Sequence, residues 1–522
     1  MNKQDQLSMS SGWKSFEELK AKYSPAEIKF EKGRRSLGLW LGPLVFIIIL
    51  LMGTPEGMTV EAKQVIAITA WTVIWWVCEP IPIPATGLIP FILIPAMGIM
   101  PANALFSVLG HQNNFLMIGA YIFIGTMITH GFTKRISLWL LSRKFAAKSS
   151  TSLLMVFILA VGLLSAFMSN IPCTMLFLVI GSGISQALKI EEDHPYSRAL
   201  KFGAAYGSQA GGLITPIGSP NVNFLSMGLI LSLCEYNIRF ADWMLVGVPT
   251  GILMFIITVI YFRLIFNIKI ENIEAASQYA KAEYEKLGKM TRGEKNSIFL
   301  TVLAIVLWLV PSFAAAIFGN DSPITMKLDL VLNGAIVAIA VATIAFLLPV
   351  DWKERKFTTN WSQAERSVNW GAIVIVTTGF AIGNAMNSEN VKLVLYISKK
   401  MSTLVGDSSH LVILLSFIIA GTVISQFISN VPATSILTTV AIPVALGAGM
   451  NPVAIAFSLA IACQMSYALP IAAPQMALMY GSGGIKITEF FKVGAILSLI
   501  SIPIVSVPVY YWANLIFPYF PQ

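Results

Sequence analysis

The chain has 522 residues, of which 56% are hydrophobic and 12% charged, with a net charge of +9 and a mean hydropathy of +0.73. Soluble domains carry about 25% charged residues, so composition excludes an ordinary soluble protein and predicts a polytopic membrane protein. The basic excess does not point to nucleic acid, because it falls mainly in alternate loops, and four scattered cysteines (Cys78, Cys173, Cys234, Cys463) with no CxxC pair predict neither a disulfide framework nor zinc.

Residues 1 to 37 form a polar tail with Trp13, Phe16 and Leu19 spaced for either a helix lying on the inner membrane surface or a solvated segment. The first apolar run begins near Gly38 and reads as a retained span rather than a cleaved signal. Runs near 38 to 53, 65 to 79, 83 to 100 and 115 to 130 follow, each close to the roughly 20 residues that a spanning helix needs. Pro80, Pro82 and Pro84 mark a tight connection. Lys134, Arg135, Arg143, Lys144 and Lys148, interleaved with Ile136, Trp139, Leu140 and Phe145, predict an amphipathic helix at the inner interface.

Residues 152 to 189 are too long for one crossing and are split by Ser169-Asn170-Ile171-Pro172-Cys173-Thr174, with limbs of about 17 and 15 residues, short for full spans. A re-entrant hairpin is expected there, since irregular backbone at membrane depth survives only where it lines a protein-walled cavity. A span over 202 to 233 is interrupted by Gly211 to Asn221, rich in Gly and Pro, and a sixth span covers 243 to 267. The polar segment 268 to 296 divides the chain and is expected to contain a solvated helix.

Spans near 297 to 318, 328 to 348 and 371 to 386 lead to a second interfacial stretch, 387 to 402. The segment 410 to 449 is split again, at Ser429-Asn430-Val431-Pro432-Ala433-Thr434. A span over 453 to 482 is broken at Leu469 to Gln475, and the last covers 490 to 513. The fold class is therefore an all-α polytopic membrane protein of about eleven transmembrane helices and two re-entrant helical hairpins. Placing the N-terminus in the cytoplasm puts 27 Lys/Arg in inner segments and six in outer ones, as the positive-inside rule requires. The expected organisation is a tail (1–37), a first helix and outer loop (38–64), a first repeat (65–267), a cytoplasmic loop (268–296) and a second repeat (297–522).

The two hexamers lie 260 residues apart, Pro216 and Pro470 lie 254 apart, and Ile124-Gly125 and Ile382-Gly383 lie 258 apart. Five crossings separate the split segments, so the second repeat is expected to be inverted. Half-helix ends would then meet near the midplane, where free N–H groups favour an anion and bare carbonyls a cation. Single Pro kinks with Ser, Thr or Asn partners often serve only packing. The recurrence of the whole constellation is what points to a site.

At these residues the chain resembles the divalent anion/sodium symporter family, over nearly its whole length from about residue 38. The resemblance rests on the two Ser-Asn hexamers, on Thr215-Pro216-Ile217-Gly218-Ser219-Pro220, and on Ala472-Ala473-Pro474 with Tyr480-Gly481-Ser482-Gly483. It implies substrate carboxylates held by Ser169, Asn170, Ser429 and Asn430, with Ser219, Pro220 and Pro474 lining the cavity. It implies sodium at Ser165, Ser169, Asn170 and Gly218, and a second sodium at Ser425, Ile428, Asn430 and Ala472. Ile171 and Val431 stand where the family has Thr, and Ala473 and Gln475 stand where it has Thr and Pro.

The functional expectation is a secondary active transporter of di- and tricarboxylates (the succinate, malate, fumarate, 2-oxoglutarate class) in the cell membrane, working by alternating access. The lost hydroxyls favour dicarboxylate exchange, with sodium symport as the alternative and no cofactor other than sodium. The resemblance adds an elevator motion, a homodimer and contact with membrane lipid. A membrane-embedded enzyme is disfavoured because His111, His130, His194 and His410 are scattered and there is no HExxH or P-loop. An anion channel is the remaining alternative.

Overall fold

The computed structural model describes residues 25–266, 268–405 and 409–517, most of them helical. The predicted face of Trp13, Phe16 and Leu19 lies outside the described residues. Helix α1 (Pro25–Leu51) starts well before residue 38. Pro suits the first helical position, and Glu31 pairs with Arg34 (2.8 Å) and Arg35 (3.6 Å) one turn on, carrying the helix through its charged end.

Helix α2 is Val60–Cys78. The run expected as one span at 83 to 100 is two short helices, α3 (Ile83–Thr86) and α4 (Ile89–Ala96), separated at Gly87–Leu88 just ahead of Pro90, which opens the second. Helix α5 (Ala102–Phe106) precedes α6 (Gln112–Thr129), and α7 (Phe132–Leu141) bends away from α6 by 60°. Then come α8 (Ser150–Ser165), α9 (Asn170–Ala187), α10 (Pro195–Gly212), α11 (Pro220–Cys234) and α12 (Phe240–Ile265). The polar segment contains α13 (Glu274–Lys286).

The second half repeats this order. Helices α14 (Arg292–Phe318), α15 (Pro323–Val331) and α16 (Gly334–Leu347) lead to an antiparallel strand pair, β1 (Pro349–Asp351) and β2 (Lys356–Phe357), that the sequence reading missed. After α17 (Trp361–Ser367), helices α18 (Trp370–Asn387) and α19 (Leu393–Val405) correspond to α6 and α7. Helices α20 (His410–Phe427) and α21 (Asn430–Gly447) correspond to α8 and α9, and α22 (Pro452–Gln464) and α23 (Pro474–Gly481) to α10 and α11. Helix α24 (Ile487–Ser501), a π-helical turn at Ile502–Ser506 and α25 (Val507–Ile516) close the chain.

Among the described residues, seven helices are long and apolar enough to cross a membrane, or up to ten if each bent pair is one span. Of the expected eleven, 83 to 100 is not one continuous helix, while 202 to 233 and 453 to 482 are broken where an interruption was expected, between α10 and α11 and between α22 and α23. The hexamers also differ from expectation. Only Ser169 and Ser429 are non-helical, as N-caps, and the rest of each hexamer forms a first helical turn. Pro172 and Pro432 fit there because the first-turn N–H groups have no partner to lose. The second limb α9 is consequently 18 residues rather than about 15.

Packing follows the repeat. Helix α10 packs on α8 and α9, as α22 packs on α20 and α21. Across the halves, α9 meets α23 and α21 meets α11, so each post-serine helix is seated against the post-proline helix of the other half.

Candidate functional site

Helices α9 and α21 begin alike. Ser169 (φ −59°, ψ 144°) and Ser429 (φ −58°, ψ 146°) are N-caps whose side chains do not bond their own helices, and both are half-buried. Each helix start therefore offers a hydroxyl and unpaired N–H groups to a ligand. Half-buried Ser219 precedes Pro220 at the start of α11, and Ala473 precedes exposed Pro474 at the start of α23. The cross-packing of α9 with α23 and of α21 with α11 relates these four starts in two equivalent pairs.

Asn170, the first residue of α9, is buried at 6% exposure. With its amide oxygen toward Ser165 the side chain accepts from that hydroxyl at 2.7 Å and its nitrogen meets Gln209 Oε1 at 3.4 Å. With the amide turned, the nitrogen donates to Ser165 Oγ at 2.7 Å and to the carbonyls of Ser208 and Gly218 at 2.9 and 3.1 Å, and it is this orientation that satisfies the corner. Gly212 lets this corner close, since a Cβ there would sit 2.5 Å from Asn170 Oδ1. Asn223 fixes the loop by donating to the carbonyls of Gly212 and Thr215, both at 3.0 Å.

Asn430 repeats the arrangement. It is equally buried, Ser466 donates to its oxygen at 2.6 Å, and the carbonyls of Cys463 and Ala472 lie 3.1 Å from that corner. Cys463 and Ala472 are the repeat counterparts of Ser208 and Gly218. Ser425, assigned to this site by resemblance, turns its hydroxyl to Thr422 O at 3.2 Å, and buried Ile428 ends α20. The hydroxyl that meets the Asn430 side chain is that of Ser466.

Gln209 joins the halves. Fully buried on α10, it donates to the carbonyl of Gln464 at 2.6 Å, and its oxygen also receives Gln475 from α23. Gln464 in turn donates to Asn223 Oδ1 at 3.1 Å. The cluster at the repeat interface is built of uncharged amides, hydroxyls and carbonyls, groups that can hold an anion through N–H and a cation through oxygen without any basic side chain.

Sequence reading missed Ser208, Gln209, Asn223, Gln464, Ser466 and Gln475. A signal existed: Gln209 and Gln464 are amides inside apolar helices, 255 residues apart, within the offset that the repeated motifs already set.

A family model described as the sodium:sulfate symporter transmembrane region matches residues 35–518. The sodium-dependent dicarboxylate transporter SdcS of Staphylococcus aureus (strain USA300) is 28% identical over 485 residues, covering 91% of this chain and 90% of that protein. Its namesake from Staphylococcus saprophyticus is also 28% identical, covering 91% of each chain. Among solved structures, the YdaH transporter of Alcanivorax borkumensis matches with a TM-score of 0.53 at 15% identity, over 80% of this chain and 90% of its own. MtrF of Neisseria gonorrhoeae, described among antimetabolite efflux pumps, matches with a TM-score of 0.53 at 13% identity, over 92% and 94%. At these identities the two structures bear on the fold alone, which is that of helical membrane transporters.

Proposed function

Because the chain belongs to the family of the sodium:sulfate symporter transmembrane region, whose members are membrane transporters and not enzymes, we propose that it carries dicarboxylates of the succinate, malate, fumarate and 2-oxoglutarate class across the cell membrane, coupled to sodium. The observation that carries this reading is the pair of Ser-Asn helix starts, each a half-buried serine followed by a buried asparagine. Ser169-Asn170 and Ser429-Asn430 sit in equivalent settings on helices seated against opposite halves. A dicarboxylate has two anionic ends, and two helix N-termini with free hydroxyls match that divided charge.

Sodium enters as cargo. At Asn170 the Ser165 hydroxyl and the carbonyls of Ser208 and Gly218 lie within about 3 Å of one amide corner, uncharged oxygens of the kind a hard cation takes as ligands. The sodium dependence in the names of the staphylococcal relatives supports the same reading. Exchange without sodium, the mode the sequence alone puts first, is the second reading, supported by the hydroxyls lost at Ile171, Val431 and Ala473.

In the mechanism, sodium bound at Asn170 holds the α9 start and the Leu213–Ser219 loop together, so the carboxylate meets a preformed row of donors. The unit moving against the remaining helices is α8 to α12 with α20 to α25, which contain two re-entrant hairpins of an inverted repeat. The motion is an elevator within a homodimer whose N-termini face the cytoplasm.

Proteoliposomes decide between the modes. Empty vesicles should accumulate labelled succinate when sodium is placed outside. Uptake that needs internal dicarboxylate and ignores sodium would establish exchange instead.

A further inference from the structure

Helix α7 leaves the direction of α6 at the 60° bend, where Gly131 takes a φ of +76°, and residues 142–149 connect it to α8. One side of α7 is committed to the protein. It packs on α8 and α13, with Leu138 and Leu141 buried. Arg135 pairs with Glu294, and Glu283 of α13 is shared between Lys134 at 3.8 Å and Lys286 at 2.6 Å.

The other side has no protein partner for its charges. Trp139, Arg143, Lys144, Phe145 and Lys148 are all exposed. No acid pairs with Arg143, Lys144 or Lys148 among the described residues, and the sequence has no Asp or Glu from 80 to 190. The Arg143 guanidinium lies over the Trp139 ring, 4.1 Å from its centroid, a stacking that leaves the N–H edge free for an acceptor. Water would suit the three cations but not the two rings, and hydrocarbon would suit the rings but not the cations. The headgroup layer of a bilayer suits both. The repeat does not require this face: α19, the counterpart of α7, exposes Lys399 and Lys400 but contains no Trp, Phe or Arg.

We propose that the exposed side of α7 is a docking site for an anionic phospholipid, with the lipid phosphate on Arg143, Lys144 and Lys148 and with Trp139 and Phe145 at the level of the glycerol and upper acyl chains. The site is separate from the Ser-Asn helix starts and does not depend on what they carry. Helix α7 joins α6, outside the moving unit described above, to α8, the first helix inside it. A lipid held there fixes the connecting arm to the membrane surface.

The test uses the purified full-length protein in neutral maltoside micelles without substrate, and reads the rise in unfolding temperature as lipid is added. Phosphatidylglycerol should stabilise the wild type at a lower mole fraction than phosphatidylcholine, and added salt should weaken the difference. A basic side chain at an anionic surface contributes about fivefold in affinity. Lys144→Gln with Lys148→Gln should therefore raise the half-saturating phosphatidylglycerol fraction at least about tenfold, and Arg143→Gln alone about fivefold. Lys399→Gln with Lys400→Gln, an equal loss of charge on α19, should stay within about twofold of wild type. Equal stabilisation of the wild type by both lipids overturns the proposal. So does an α19 variant that loses as much as the α7 pair, which would make the effect one of overall charge. If the Lys144/Lys148 variant does not fold, Arg143→Gln decides alone, and wild-type behaviour in whichever α7 variant folds overturns the proposal. Glycerol 3-phosphate, which has the phosphate without acyl chains, should give no shift, and a full shift would make this a site for soluble anions instead. A protein that binds the lipid in this way but moves no dicarboxylate keeps this inference and loses the substrate reading.

Discussion

Gln209 donates its side-chain amide to the main-chain carbonyl of Gln464 at 2.6 Å, tying the last turn of α10 to the last residue of its repeat counterpart α22. One side chain and one peptide thus connect the surroundings of Asn170 with the Cys463 carbonyl beside Asn430. Both helix starts are held in one polar cluster, and a change at either is felt by the other.

Replacing Asn170 or Asn430 by Ala removes the side chain around which each helix start is organised. A hydrogen bond to a charged group contributes about 1.5 to 3 kcal/mol, so each variant should lose about tenfold to a hundredfold in substrate affinity while retaining its elution profile. Counterflow of labelled succinate measures this. Normal flux in both variants would place the site elsewhere.

Gly212→Ala is expected to be as damaging as losing Asn170. The added Cβ would lie 2.5 Å from Asn170 Oδ1, a distance that forces the amide out of its corner. Gly53→Ala, where nothing lies within 4 Å, serves as the control. Equal uptake by the two variants would contradict the geometry assigned to this corner.

Lys201, on α10, reaches the carbonyls of Gly483 (2.9 Å) and Ser482 (3.4 Å) just after α23. It holds the far end of the helix whose start carries Pro474. Lys201→Met should weaken apparent substrate affinity by about twofold to tenfold through a loosened α23, without abolishing transport. An inactive but folded variant would assign Lys201 a direct role in substrate contact.

Two ion pairs should separate sharply in stability measurements. Arg135 meets Glu294 at 2.5 Å with side chains 7% and 4% exposed, and it also donates to the carbonyls of Gly288 and Leu287. Arg135→Ala strands a buried carboxylate and should cost about 3 to 5 kcal/mol. Arg239 meets Asp329 at 2.6 Å, but the pair is a quarter to a third exposed. Solvent screening limits Arg239→Ala to about 1 kcal/mol or less. Thermal unfolding of both variants in one detergent gives the ranking, and the reverse order would refute the burial argument.

Hydrophobic content, the spacing of apolar runs and the two Ser-Asn hexamers determined, from the sequence alone, that this is a helical membrane protein with a repeated core. Those features are legible because a membrane span and a proline break are local: each is set by a run of neighbouring side chains and by the missing N–H of one residue. The splitting of 83 to 100 was equally local, since Gly87 and Pro90 flank the break in plain view, but hydropathy averaged over the run conceals them. What only the tertiary structure decided is which atoms face each asparagine. Ser466 meets Asn430, and Ser165, Ser208 and Gly218, from other segments, surround the amide of Asn170. Hydrogen bonds between residues 36 to 255 positions apart leave no periodicity in the chain. They exist because packing brings two broken helices together in a buried place, where amides on one segment take their partners from the other.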